Sequence, residues 1–132
     1  MFTEQQIKAA HAKVKTGADF PAYIQEIKNL GLIGYEYWVS NGKTEYFGAN
    51  GHRIKSDARY EPLTIANCSS SKQLEQIISI HQQGQTDFIT LCHQVAEAGV
   101  EKWVIDTQKM LCTYYDKTGN KIVAEPIPEA GY

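Results

Sequence analysis

Residues 87–122 read DFITLCHQVAEAGVEKWVIDTQKMLCTYYDKTGNKI, and residues 19–54 read DFPAYIQEIKNLGLIGYEYWVSNGKTEYFGANGHRI. Set one over the other, they align Asp19 and Phe20 with Asp87 and Phe88, Gly31 with Gly99, Tyr46 with Tyr114, Gly51 with Gly119 and Ile54 with Ile122. Tyr35 then meets Trp103, Phe47 meets Tyr115 and Arg53 meets Lys121. The matched positions are those a fold needs, namely a helix start, a helix stop, a strand centre and a hairpin turn. The second half of the chain therefore reads as a repeat of the first.

Working outward, the hydrophobic period decides the elements. Thr3 and Gln6 form a capping-box pattern, and Ile7, Ala10, His11 and Val14 share one helical face, which predicts a first helix over about 3–15 ending near Gly17. Asp19 as N-cap, Pro21 in the first turn and the stripe Phe20, Tyr23, Ile24, Ile27, Leu30 predict a second helix stopped by Gly31. The period then changes from 3.6 to 2. Segments 34–40, 43–48 and 52–56 read as strands joined at Asn41-Gly42 and Asn50-Gly51, where positive-φ residues suit tight turns.

The second half repeats this order. Ser70 or Ser71 caps a third helix carrying Leu74, Ile77, Ile78 and His81 and ending at Gly84, and Thr86 or Asp87 opens a fourth with the stripe Phe88, Leu91, Cys92 and Val95 closed by Gly99. Strands follow at 103–107, 110–116 and 121–125, with 117–120 as the last turn. The fold class is α+β: two tandem ααβββ units with pseudo-twofold symmetry, their antiparallel meanders packed against helices. One domain spans 1–132, with halves 3–56 and 70–125, a connection at 57–69 in which residues 63–65 could add an edge strand, and an extended tail at 126–132 after Pro126 and Pro128.

Composition narrows function by exclusion. The chain has 132 residues, enough for one hydrophobic core, and its 42% hydrophobic and 21% charged residues are ordinary for a soluble globular protein. A formal net charge of −2, with 13 basic residues scattered among 15 acidic ones, gives no basic stripe for nucleic acid. Met1-Phe2-Thr3-Glu4-Gln5-Gln6 lacks the features of a signal peptide, and no apolar run is long enough to span a bilayer, so a cytoplasmic location without membrane contact is expected. Cys68, Cys92 and Cys112 are an odd number at no metal or redox spacing and read as reduced thiols, with Cys92 a core residue on the stripe of the fourth helix. Asn67-Cys68-Ser69 matches a glycosylation sequon only formally.

Templates for catalysis are missing. Cys92 and His93 are neighbours on a helix and point about 100 degrees apart, so they form no dyad. His11, His52, His81 and His93 lack the paired short spacing of a zinc site, and no cofactor fingerprint is present, so neither metal nor cofactor is expected. Glu125 and Glu129, or Asp116, sit at turns and tails where carboxylates are ordinarily solvated.

Two features stand out against that background. His81 occupies the last turn of the third helix, where a C-terminal dipole would favour the imidazolium, and polar residues crowd the loop His81-Gln82-Gln83-Gly84-Gln85-Thr86-Asp87. The bland reading is a helix end followed by an N-cap. The strands carry aromatic residues on both faces. An Asn41-Gly42 two-residue turn would pair Tyr37 with Tyr46 and Val39 with Thr44, leaving Glu36, Trp38 and Phe47 opposite. One face packs on helices; the other meets the sister meander, a second subunit in a homo-oligomer, or a ligand. Stacking of the two meanders would bury both faces with no ligand.

The segments 81–88, Ala98-Gly99-Val100-Glu101-Lys102-Trp103, Cys112-Thr113-Tyr114-Tyr115-Asp116 and Gly17-Ala18-Asp19-Phe20 resemble a small family of bacterial and prophage proteins of unknown function, the YbcV-type proteins, some of which carry the label phage envelope protein. The resemblance covers nearly the whole chain. It implies a single-domain bacterial cytoplasmic protein and carries over no catalytic residue.

The residues and the resemblance together lead to a non-enzymatic accessory protein that binds a protein partner or a small molecule. The candidate binding residues are Tyr35, Tyr37, Tyr46, His81, Gln82, Asp87, Lys102, Trp103 and Tyr114. The alternative is a small hydrolase or isomerase using His81 as base with Asp87 or Asp106 beside it, and a cleft holding His81 against a carboxylate would favour it.

Overall fold

The computed structural model describes residues 2–14 and 19–127. Its elements run α1 (Glu4–His11), α2 (Phe20–Leu30), β1 (Leu32–Trp38), β2 (Thr44–Gly48), β3 (Arg53–Ser56), α3 (Ser71–Gln82), α4 (Phe88–Glu97), β4 (Lys102–Asp106), β5 (Leu111–Tyr115) and β6 (Lys121–Pro126), with a 3₁₀ turn at Ala49–Gly51 between β2 and β3. The predicted helix stop at Gly17 and residues 128–132 of the predicted tail lie outside the described residues. The first two tail residues correct the expectation, because Pro126 still pairs with Leu111 in β6 and Ile127 N–H donates to the Met110 carbonyl at 2.8 Å, and α1 ends at His11, short of the expected residue 15.

The helices begin where their side chains satisfy orphan N–H groups. Gln6 N–H donates to Thr3 Oγ1 at 3.2 Å while Thr3 N–H donates to Gln6 Oε1 at 2.8 Å, a complete capping box. Ser70 accepts from Gln73 N–H and Asp87 from Thr90 N–H. Gly31, at φ 108°, ends α2 in the left-handed conformation that a side chain would resist.

All six strands form one antiparallel sheet in the order β3-β2-β1-β4-β5-β6. The two meanders thus lie side by side, joined through β1 and β4, and do not stack face to face. Facing pairs at the joint are Tyr35 with Ile105, Glu36 with Val104, and Tyr37 with Trp103. Tyr35 also faces Tyr46 in the first meander, and Trp103 faces Tyr114 in the second. Phe47 faces Arg53 and Tyr115 faces Lys121 at the outer pairs.

The first hairpin corrects the expected register by two residues. Gly42 N–H donates to the Trp38 carbonyl at 2.7 Å, closing a loop over 39–42, so Tyr37 faces Thr44 and not Tyr46. The loop is held from outside: Tyr60 Oη donates to the Val39 carbonyl, Arg59 N–H to the Asn41 carbonyl and Leu63 N–H to the Ser40 carbonyl. Val39 is fully buried there. Because side chains alternate with period two, a two-residue shift leaves every residue on its expected face. No strand forms within 57–69, whose Leu63 and Ala66 N–H groups bond to Ser40 and to the end of α4.

Helices cover one face only. Ile24, Ile27, Leu74, Cys92 and Val95 are fully buried against Leu32, Tyr35, Tyr37, Trp103 and Ile105 in a shared core. On the opposite face Glu36, Trp38, Phe47, Lys102 and Tyr115 are half-buried by one another. Lys102 Nζ lies 3.4 Å from Glu36 Oε1 and over the rings of Trp38 and Tyr115, and the Arg53 guanidinium covers Phe47.

Candidate functional site

Strand alternation aims Tyr35, Tyr37, Tyr46, Trp103, Cys112 and Tyr114 toward the helices, and cross-strand pairing gathers them into a floor. Tyr37 stacks on Trp103 with centroids 4.3 Å apart and planes 10° from parallel. Phe88, the first residue of α4, stands edge-on to both, at 5.5 and 6.1 Å. His11 of α1 meets Phe88 and Tyr23 edge-on in turn. Between this floor and the helices lies a cavity of about 370 Å³, walled further by Phe20, Ile78 and Leu91 and bordered by His81, Gln82 and Arg59. Its volume falls at the lower end of the range of small-molecule pockets, roughly 300 to 1,000 Å³.

The polar groups of the floor are mostly spent on one another. Tyr37 Oη donates to Tyr60 Oη at 3.2 Å, Tyr60 passes its hydrogen to the Val39 carbonyl at 2.7 Å, and the Cys92 thiol lies 3.6 Å from Tyr37 Oη. Arg59 Nη2 donates to Tyr46 Oη at 3.2 Å and its guanidinium sits 5.7 Å over the Tyr37 ring. Burial raises the Tyr35, Tyr37 and Tyr114 phenols well above their ordinary value. It raises the Cys92 thiol too, and pushes Cys112 up to about 12. Neither buried cysteine is a thiolate at neutral pH, so neither is an activated nucleophile.

His81 behaves otherwise than its helix position suggests. Nδ1 shares a 3.0 Å hydrogen bond with Thr86 Oγ1, and burial lowers its pKa more than the Thr86 bond and the Asp87 charge raise it. Desolvation at a half-buried site is the largest influence on the ring, and the net direction is opposite to the imidazolium expected from its helix position. His11 is likewise lowered, by burial and then by the Arg59 charge. Both imidazoles therefore favour the neutral form, able to donate at one nitrogen and accept at the other.

Of the nine candidate binding residues, Tyr35, Tyr37, Tyr46, His81, Gln82, Trp103 and Tyr114 border the cavity. Asp87 is engaged as the α4 cap, and hydrogen bonds from Thr90 hold its carboxyl below the usual range. Lys102 lies on the opposite sheet face because it is the strand neighbour of inward-facing Trp103. Asp106 is on that same outer face and accepts the N–H groups of Gln108 and Lys109, which removes it as a partner for His81. His11, Tyr23, Arg59 and Phe88 were not singled out as site residues from the sequence. His11 and Phe88 looked like packing on amphipathic faces, and nothing local marks Arg59. Among the described residues no group of three or more His, Cys, Asp or Glu side chains is arranged to hold a metal, and no helix is long and apolar enough to cross a membrane.

The chain belongs to the family described as protein of unknown function DUF1398, whose profile matches residues 8–126 and so spans nearly all of the cavity lining. No curated protein matches the chain.

Proposed function

We propose that this protein binds a small, flat, largely apolar molecule in the cavity between the sheet and the helices, as a binding protein and not as a catalyst. The observation that carries this reading is the aromatic lining itself: stacked Tyr37 and Trp103, crossed edge-on by Phe88, leave a space of about 370 Å³ unfilled. A core built only for stability would cover such a surface, because apolar area left open to water forgoes roughly 25 cal/mol per Å². The hydrolase or isomerase alternative lacks the carboxylate that would orient its base, since His81 Nδ1 bonds the Thr86 hydroxyl while Asp87 caps α4.

The site draws on both halves, which we read as a duplicated ααβββ unit folded into one domain. The 68-position offset between residues 19 and 87 supports this. It relates the pair Tyr35–Tyr46 to Trp103–Tyr114, and exchanges Tyr35–Ile105 with Tyr37–Trp103 across a dyad at Glu36–Val104.

The test is a fluorescence titration with neutral naphthalene derivatives in a Trp38→Phe background, where Trp103 alone reports. Saturable quenching at one site per chain is expected, and Ile78→Phe, which narrows the cavity without adding a second tryptophan, should weaken it by about tenfold or more while the protein stays folded. Unsaturable quenching, or quenching indifferent to Ile78→Phe, would reject the cavity as the site.

A further inference from the structure

We propose that the molecule bound in this cavity is an organic carboxylate, its flat apolar body between sheet and helices and its carboxylate against Arg59. The proposal rests on the small-ligand reading above and adds the charge of the ligand and the direction in which it lies.

The cavity is electrically polarised. Besides two histidines, its border carries two charged side chains, Arg59 and Glu125. Arg59 bonds Tyr46 of β2, whereas Glu125 is on β6 and faces Cys112. In the sheet order those strands are four steps apart, which at about 4.8 Å a step is roughly 19 Å. An anion is drawn to the first end and repelled from the second; a cation would be turned the other way.

Arg59 is also held ready and left without a counter-charge. Its backbone N–H is fixed at 2.8 Å on the Asn41 carbonyl, and its guanidinium is steered by the Tyr37 ring and the Tyr46 hydroxyl, neither of them a carboxylate. Among the described residues no carboxylate lies within ion-pair distance of it. One N–H on Tyr46 leaves further donors of the planar fork available, and that fork matches a carboxylate.

An independent observation marks the same place. A second recess shares His11, Tyr46 and Arg59 with the cavity; it also carries Lys8, Glu4 and Asp57, neither carboxylate within ion-pair distance of Arg59, and in its wall Ser56 Oγ is buried with no hydrogen-bond partner among the described residues. A buried hydroxyl left unsatisfied is costly unless something completes it, and a ligand oxygen at this junction would do so.

The experiment is calorimetric titration of the full chain with 2-naphthoate, neutral 2-naphthamide and cationic 2-naphthylmethylammonium, on wild type, Arg59→Gln and Arg59→Lys, with a melting curve for each variant. Wild type should favour naphthoate over naphthamide by about tenfold or more, the size of a charge-assisted hydrogen bond, and bind the cation weakest. In Arg59→Gln that preference should collapse while naphthamide affinity holds, and Arg59→Lys should keep part of it. Equal affinity for naphthoate and naphthamide in wild type, or a preference unchanged in Arg59→Gln, would overturn the carboxylate proposal and leave the cavity reading standing. Failure of all three probes to bind would instead reject the cavity reading, and this proposal with it.

Discussion

Tyr37 and Trp103, 66 positions apart in the chain (103 − 37), are direct cross-strand partners and lie ring on ring at 4.3 Å. They are the contact at which the two halves meet, and both are almost fully buried. Trp103→Ala should therefore cost about 3 to 5 kcal/mol of stability. A double-mutant cycle with Tyr37→Leu should return a coupling of roughly 0.5 to 1.5 kcal/mol, the range for oriented aromatic pairs. Urea melts of the four proteins measure it. Purely additive losses would show that the rings share burial without interacting.

Gly34 sits on β1 at the same seam. A Cβ built there would lie 2.5 Å from the Ile105 carbonyl oxygen, a backbone atom of β4 that has no freedom to turn away. Gly34→Ala should destabilise by about 1 to 3 kcal/mol through forced separation of the central strands. Gly51→Ala, with nothing within 4 Å of the added carbon, tests only its positive φ of 76°. A smaller loss at Gly34 than at Gly51 would contradict the close approach.

Much of the fold was legible because it rests on period and punctuation. The four helices, the six strands and the sharing of one sheet face by Tyr37 and Tyr46 follow from spacing, and the faces survived a wrong turn type because the error was an even number of residues; which face the helices cover was left open. The site was only half legible. Lys102 could have been excluded from the sequence alone, since a strand cannot aim it and Trp103 the same way. Arg59 could not have been found, because its position depends on a backbone bond to Asn41, eighteen residues earlier (59 − 41), within an irregular connection. The charge state of His81 was misjudged for a related reason: burial is a tertiary property, and here it outweighs the Thr86 bond and the Asp87 charge that favour the imidazolium.

The two lowered histidines fix a sign for stability against pH. A histidine free in solution titrates near 6.5, and the folded values of His11 and His81 lie below it. Between folded and unfolded values the unfolded chain binds more protons, so stability rises with pH. It is complete above about 6.5 and is lost as pH falls through that value toward the folded pKa values. Melting temperatures from pH 8 to pH 5 should drop on the acid side, and His11→Gln combined with His81→Gln should flatten the curve. Asp87 and Asp116, lowered from 3.8, lose their contribution only at more acid pH and do not confuse this window. A melting temperature that rises on acidification would show that His81 is charged in the folded state after all.

The three cysteines should separate cleanly by accessibility. Cys68 is exposed, whereas Cys92 and Cys112 are buried, at 0% and 4% relative exposure. The Cys112 thiol faces the cavity, so a small reagent could approach it from there, but with its pKa near 12 only about one molecule in ten thousand is thiolate at pH 8. Chemistry thus protects Cys112 where geometry does not, and Cys92 is protected by both. Labelling with a disulfide reagent at pH 8 should consume one thiol at once and the other two only at the rate of unfolding. Adding Trp103→Phe, which loosens the central seam, should speed the slow phase by about tenfold for each 1.4 kcal/mol of stability lost, as expected where reaction follows the opening equilibrium. Two rapidly labelled thiols in the folded protein, or a slow phase indifferent to Trp103→Phe, would mean that the core around Cys92 and Cys112 opens independently of the sheet.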